Sequence, residues 1–328
     1  MKTSQLRNRI LLSVGLGLLV VAGLFLYGDV SKVGDSLRYF HWEYLPLILA
    51  LTLFNYVLRF VKWTYYLKLS EIKGVPFTDS LLIFLSGLGM SITPAKVGEW
   101  IKSYFLKVRH DVDPGKSAPI VIAERVSDGV AMLLLAGIGL LFVDQGWVLL
   151  LILAVLLLLT VAAFRNKTLA NALVSFANRL PLLKRHTGFL TTFFTSSQIL
   201  FSPGPVAFAA GIGLVSWFGE AVALYYVFLG LGAEPGLELL TESIFILSIS
   251  TMVGAVLLLP GGLGAAETSI AGLGQELVGL AREAAATGAL LIRICTLWFG
   301  VGLGFIAIAM LARRKDWWAQ DPEGEEAL

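Results

Sequence analysis

A single cysteine, Cys295, among 328 residues leaves this sequence no internal disulfide and no cysteine-based metal site. Histidine is nearly as scarce. His41, His110 and His186 fall in expected loops and are not spaced as ligands, so no metal is expected. No nucleophile, base and orienting group can be assembled around them, which argues against an enzyme. Charge is thin, with Asp, Glu, Lys and Arg making up 15% of the chain, against roughly 25% in soluble domains. The 25 basic and 23 acidic residues nearly balance, which gives a nucleic acid nothing to bind. The glycine-rich stretch Pro260-Gly261-Gly262-Leu263-Gly264 lacks the Lys-Ser/Thr ending of a nucleotide-binding loop. No cofactor is expected.

What fills the space is hydrocarbon, at 57% hydrophobic residues. A membrane-spanning helix takes about 20 apolar residues to cross ~30 Å. Runs of that kind occur at Ile10–Tyr27, Tyr44–Leu67, Ala118–Val143, Trp147–Phe164, Pro205–Gly232 and Thr287–Ala312. The first follows Lys2, Arg7 and Arg9 but has no small-x-small cleavage site after Leu24, so it reads as a retained anchor. Two further stretches are too short or too broken to span: Ser80–Met90 runs into Thr93-Pro94, and Ile244–Leu259 runs into Pro260-Gly261-Gly262. Proline removes an N–H and clashes with the preceding turn. Each stretch therefore reads as the first arm of a re-entrant hairpin, with second arms at Val97–Leu106 and Ala265–Leu280. A kinked full-length helix is the alternative.

Loop charge sets the expected orientation. With the N-terminus inside and both hairpins returning to their side of entry, sixteen Lys and Arg fall in cytoplasmic loops. Only Lys32, Arg38 and Arg282 fall outside. Both termini are then cytoplasmic, and the inner (plasma) membrane is the expected location. Between Thr168 and Ser202, Leu169, Leu173, Phe176 and Leu180 recur at helical spacing beside Arg179, Lys184 and Arg185, as in an amphipathic helix on the cytoplasmic surface. The expected fold is thus an all-α polytopic bundle forming one transmembrane domain over 1–312, with a cytoplasmic tail over 313–328.

The two breaks resemble each other. Pro94 and Gly98 precede Glu99; Pro260, with Gly261, Gly262 and Gly264, precedes Glu267. Arg125 lies 31 residues after the first proline and Arg293 lies 33 after the second. Tyrosine pairs, Tyr65-Tyr66 and Tyr225-Tyr226, close the helices before the hairpins. Those helices run in opposite directions in the expected topology, which makes an inverted-topology repeat over about 44–143 and 205–312. The strings SITPAKVGEW, AERVSDG and LLPGGLGAAE also resemble the transmembrane region of lysylphosphatidylglycerol synthases, the flippase-like domain proteins. The resemblance runs from about Ile10 to Ala312. It implies a lipid-handling membrane part; the tail from Arg313 is too short for the aminoacyl transferase often fused to that family.

Charge within the hydrocarbon costs about 2.5–3.5 kcal/mol per residue on insertion scales and tends to mark a site. Lys96, Glu99 and Lys102 follow the first break, and helical spacing would set Glu99 beside both lysines. Half-helix N-termini there suit a phosphate. Glu124 and Asp128 share a face with Arg125 beside them, and the arginine's planar fork suits a lipid phosphate. Arg293 has no sequence-local acid, so Glu267 or Glu220 is its expected partner. Lys96, Glu99, Lys102, Arg125 and Arg293 are the candidate phosphate-binding set, and Glu124, Asp128 and Glu267 the candidate coupling or ion-pairing set. Arg59 and Lys62 lie near a helix end and read as snorkelling to headgroups.

The leading expectation is a translocator moving an anionic phospholipid or lipid-linked phosphate between leaflets. A headgroup transferase and a non-catalytic subunit docking a separate lipid or glycolipid synthase are the rivals. Membrane lipids are the expected partners. Orientation is testable by cysteine labelling in a Cys295→Ser background: a cysteine at Glu238 should react from outside, and reaction only from the cytoplasmic side would reverse the topology.

Overall fold

Proline and glycine cut this chain into helices of very unequal length. In the computed structural model, residues 22–23, 27, 29–140, 147–180 and 184–313 are described, without the side chains of 94–96. Most of the first apolar run and nearly all of the tail lie outside these residues. The described helices, in order, are α1 (Val30–Tyr39), α2 (Leu45–Leu69), α3 (Phe77–Gly89), α4 (Ile101–His110), α5 (Pro114–Gly139), α6 (Trp147–Arg165) and α7 (Lys167–Arg179). There follow α8 (Thr187–Leu200), α9 (Pro203–Gly230), α10 (Leu237–Val256), α11 (Ala265–Glu276), α12 (Arg282–Arg293) and α13 (Phe299–Ala312). No strand occurs among the described residues. Five helical segments among them are long and apolar enough to cross a bilayer: Trp42–Leu69, Trp147–Arg165, Pro203–Gly230, Leu237–Val256 and Arg282–Ala312. The protein is an all-α polytopic membrane bundle.

Local chemistry explains the boundaries. Pro114 opens α5, where its missing N–H is harmless, and the Asp113 carboxylate caps the helix by accepting from the Gly115 N–H at 2.8 Å. Thr93 and Leu259, each before a proline, are extended, with ψ of 150° and 148°. The Thr93 hydroxyl oxygen accepts from the Gly98 N–H at 2.7 Å and the hydroxyl donates to the Met90 carbonyl at 2.8 Å, which closes the first break. At the second, Leu258, Gly261, Gly262 and Gly264 all take positive φ. Glycine does so without the Cβ penalty; Leu258 does not.

Helices α2 and α9 cross with a reciprocal pair of buried contacts. The Asn55 side-chain amide donates to the Ser216 carbonyl at 3.1 Å, and the Ser216 hydroxyl donates to the Asn55 carbonyl at 3.3 Å. The arms of each break pack on one another, α3 on α4 and α10 on α11. The first arms then exchange: α3 packs on α13, and α10 packs on α5. This brings the 3-10 turns Pro94–Trp100 and Pro260–Gly262 against each other at the centre.

Three expectations change. The second broken stretch begins at Leu237 and not Ile244, which gives α10 20 residues, enough to cross a membrane. Its polar first turns (Glu238, Thr241, Glu242, Ser243) hid that start. Residues 94–100 form a 3-10 turn and not a stretch of α-helix, because Pro94 leaves the preceding residue extended. The 168–202 segment holds two helices: α7 leaves Leu169, Leu173 and Phe176 exposed, while α8 packs on α5.

Close packing of α3 on α13 depends on two glycines. A Cβ on Gly304 would overlap the Gly89 backbone, and one on Gly89 would lie 2.9 Å from the Gly304 carbonyl carbon. Small residues allow such approach where lipid supplies no hydrophobic drive between helices. A methyl group on nearby Gly302 would meet nothing within 4 Å. Gly304→Ala should therefore lower stability by about 1–3 kcal/mol, the usual scale of overpacking, and Gly302→Ala should not. Thermal unfolding in detergent distinguishes them, and equal midpoints would refute the close packing.

Candidate functional site

Helix α5 carries three charges within five residues, and each finds a partner on a different element. Lys102 on α4 pairs with Glu124, and Lys62 on α2 pairs with Asp128. The lysines are 2% and 1% exposed. Arg125 reaches the break instead: its Nη2 and Nε lie 2.8 Å and 3.0 Å from Glu99 Oε2, and its Nη1 is 3.5 Å from Asp128. Lys102 also lies 4.8 Å from the centre of the Trp63 ring, an apolar surface with a negative face that favours a desolvated cation.

The second half builds a counterpart with fewer parts. Arg293 ends α12, its Nε 2.7 Å from Glu267 Oε1, while its Nη2 donates to the Gly261 carbonyl at 2.5 Å. The other oxygen of Glu267 accepts from the Gly264 N–H at 2.7 Å and caps α11. This one carboxylate therefore ties the start of α11 to the end of α12. Directly after Arg293 the helix widens into a π-turn, Ile294–Trp298, an irregularity frequent at functional sites. Glu99–Arg125 and Glu267–Arg293 are each separated by 26 residues.

Both arginines face one cavity of about 80 Å³. Arg59 of α2 joins them there, with Glu99 and Glu220 as the acids. Gly254, Gly261 and Gly262 form part of the wall, so backbone is presented where side chains would narrow the space. The Arg59 guanidinium stands 5.9 Å from the centre of the Trp217 ring. Among the described residues it has no carboxylate within ion-pair distance, unlike Arg125 and Arg293. Three guanidinium groups in a desolvated space make a site for an anion with several oxygens, such as a phosphate.

The expected sets are divided by this geometry. Glu99, Arg125 and Arg293 line the cavity, as do Gly261 and Gly262. Lys102, Glu124 and Asp128 form a buried ion-pair layer behind it. The side chains of Pro94 and Lys96 are outside the described residues. Glu99, on the 3-10 turn, pairs with Arg125, and Lys102 pairs with Glu124. Arg293 takes Glu267, the first of its expected partners. The snorkelling of Arg59 and Lys62 is overturned: α2 continues to Leu69, two turns past Lys62, and both side chains turn inward. Sequence reasoning passed over Trp217 and Arg59 at the cavity; their place on helices that cross at Asn55–Ser216 was the missing information.

Residues 10–304 match the model of a family described as the lysylphosphatidylglycerol synthase transmembrane region. A membrane protein of the UPF0104 group from Methanothermobacter thermautotrophicus is 23% identical over 318 residues, 89% of this chain and 93% of that relative. A second match to a UPF0104 membrane protein of the same organism is 36% identical over 95 residues, 29% of this chain and 27% of that relative's length.

The ion-pair layer gives a direct test of structural dependence. Removing one partner of a buried pair costs about 3–5 kcal/mol, because the other charge is left in low dielectric. Lys102→Met should destabilise on that scale, and adding Glu124→Leu should recover much of the loss. A double variant no more stable than the single one would show that Lys102 and Glu124 are not coupled.

Proposed function

The chain belongs to the lysylphosphatidylglycerol synthase transmembrane-region family, and from that premise we propose that it is a lipid translocator, moving an anionic phospholipid or lipid-linked phosphate between leaflets. The observation that carries the reading is the convergence of Arg59, Arg125 and Arg293 on one cavity at the junction of the two breaks. A phosphate crossing the bilayer must exchange water for fixed donors, and guanidinium groups supply them in a planar fork. Two of the three are held by Glu99 and Glu267. That arrangement keeps the site's own charge near neutral, so an arriving anion replaces a carboxylate and does not meet unbalanced charge. Arg59 is the donor with no carboxylate within ion-pair distance among the described residues.

The inverted repeat belongs to the same proposal. The reciprocal packing of α3 on α13 and α10 on α5, and the shared 26-residue spacing from glutamate to arginine, support it. In such repeats the two halves rock about a central site and open it to one face at a time. Re-entrant hairpins, both termini in the cytoplasm and residence in the plasma membrane complete the reading. The exposed apolar side of α7 would rest on the cytoplasmic surface. No covalent chemistry is assigned, since Glu99 and Glu267 are held in ion pairs. Glu124 and Asp128 are candidates for coupling to protons.

Reconstitution tests it. In vesicles holding fluorescent phosphatidylglycerol, the purified protein should raise the rate at which label becomes accessible to an impermeant quencher. Arg59→Gln and Arg293→Gln should each slow that rate by about tenfold, a loss of one charge-assisted contact worth about 1.4 kcal/mol. Exchange no faster than in protein-free vesicles, or recovery of a covalently altered lipid, would overturn the proposal.

A further inference from the structure

Beside the arginine-lined cavity runs a second, apolar one. It is a groove of about 320 Å³ between α5, α6 and α10. Its floor is hydrocarbon, formed by Met132, Leu153, Leu157 and Met252 among others. Leu156, Val256 and Leu258 stand exposed along it, so it opens on the outer surface of the bundle, where a bilayer would lie. The groove and the cavity are neighbours, with Arg125, Trp217 and Gly254 lining both.

Trp217 sits at that junction and carries an unusual feature. It is 8% exposed, and its indole N–H has no hydrogen-bond acceptor among the described residues. Leaving a buried donor unmade costs about 1–3 kcal/mol, and a buried tryptophan usually finds an acceptor. The residue that carries this donor lines both a guanidinium-lined space and a hydrocarbon-lined one.

We infer that the α5–α6–α10 groove is a lateral portal for the hydrocarbon chain of a phosphate-bearing lipid, with the Trp217 N–H donating to an oxygen where chain and headgroup join. The ligand enters sideways from the bilayer with its anionic end in the cavity and its tail along Leu153, Leu157 and Met252. A free inorganic phosphate would satisfy the arginines but would leave both the groove and the indole unused. This rests on the lipid reading above, yet it concerns binding and route, and not whether a leaflet crossing follows.

The test is photolabelling of the full chain in phosphatidylcholine vesicles. They contain a trace of phosphatidylglycerol with a diazirine near the end of one acyl chain. Label should concentrate on Leu157, Met252 and Val256 by at least fivefold over Leu151 and Ile306, which are open to lipid elsewhere. Excess unlabelled phosphatidylglycerol should displace it; excess phosphatidylcholine or inorganic phosphate should not. Thr160→Trp, which narrows the groove at a half-buried position, should remove most of the displaceable label. Trp217→Phe keeps the apolar wall and removes the donor, and should weaken competition by phosphatidylglycerol several-fold. Groove labelling no stronger than at Leu151 and Ile306, or not displaced by phosphatidylglycerol, overturns the portal. So does full leaflet exchange by a folded Thr160→Trp protein. Displaceable groove labelling without any leaflet exchange supports the portal and defeats translocation alone.

Discussion

Charge cannot be left alone in hydrocarbon, and nearly everything at the centre of this protein follows from that constraint. Helix α5 inserts Glu124, Arg125 and Asp128 into the bundle. Each must be answered by a side chain from elsewhere: Lys102 from α4, Glu99 from the first break and Lys62 from α2. These partners come from three separate elements, so satisfying one helix fixes the relative placement of three others. Apolar contact alone could not do this in a bilayer, where lipid tails solvate a leucine as well as a neighbouring helix does. The ion pairs act as specificity devices at least as much as sources of stability, since a buried pair often gains little over an apolar replacement.

The breaks obey the same rule for the backbone. A helix that stops inside a bilayer exposes N–H and C=O groups with no water to meet them. The structure answers with side chains. Thr93 serves the first turn, Glu267 serves the N–H of Gly264, and Arg293 takes the Gly261 carbonyl. Arg293 thus has two duties, one to a carboxylate and one to an orphan carbonyl, so replacing it disturbs the break as well as the cavity. Gly262 is similarly constrained: with φ of 70° and a Cβ position 3.3 Å from the Gly254 Cα, it has room for neither a side chain nor a different turn. Any motion of the second break must carry Gly254 of α10 with it.

How much of this could be seen in the sequence depends on the range of the interaction. The bundle, the two breaks and the interior charges Glu99, Arg125, Glu267 and Arg293 were legible because proline, glycine and interior charge are local signals. The Arg293–Glu267 pair was within reach for the same reason, as the acid closest in the pattern. Lys62 and Arg59 were misread, because their roles depend on where α2 meets α5 and α9, some 66 residues away in the case of Lys62 and Asp128. A lysine near a helix end looks the same on a strip of sequence whether it points to headgroups or into the bundle. The start of α10 was missed for a complementary reason. Glu238 and Glu242 break the apolar pattern, yet they lie in the first turns, where acidic residues suit the positive end of the helix dipole.

Pairing that stabilises the resting protein also shapes what it could bind. Arg125 and Arg293 are each matched by a glutamate, so binding a phosphate there requires either a shared arrangement or the release of a carboxylate into the same cavity. Glu267 cannot leave freely, because its second oxygen holds the start of α11. Glu99 sits on a 3-10 turn, whose hydrogen-bond geometry is poorer than that of an α-helix. The turns Pro94–Trp100 and Pro260–Gly262 touch, so the elements that carry both acids meet at one contact. The two pairs thus share a spacing and differ in anchoring: one glutamate stands on a 3-10 turn, and the other caps an α-helix.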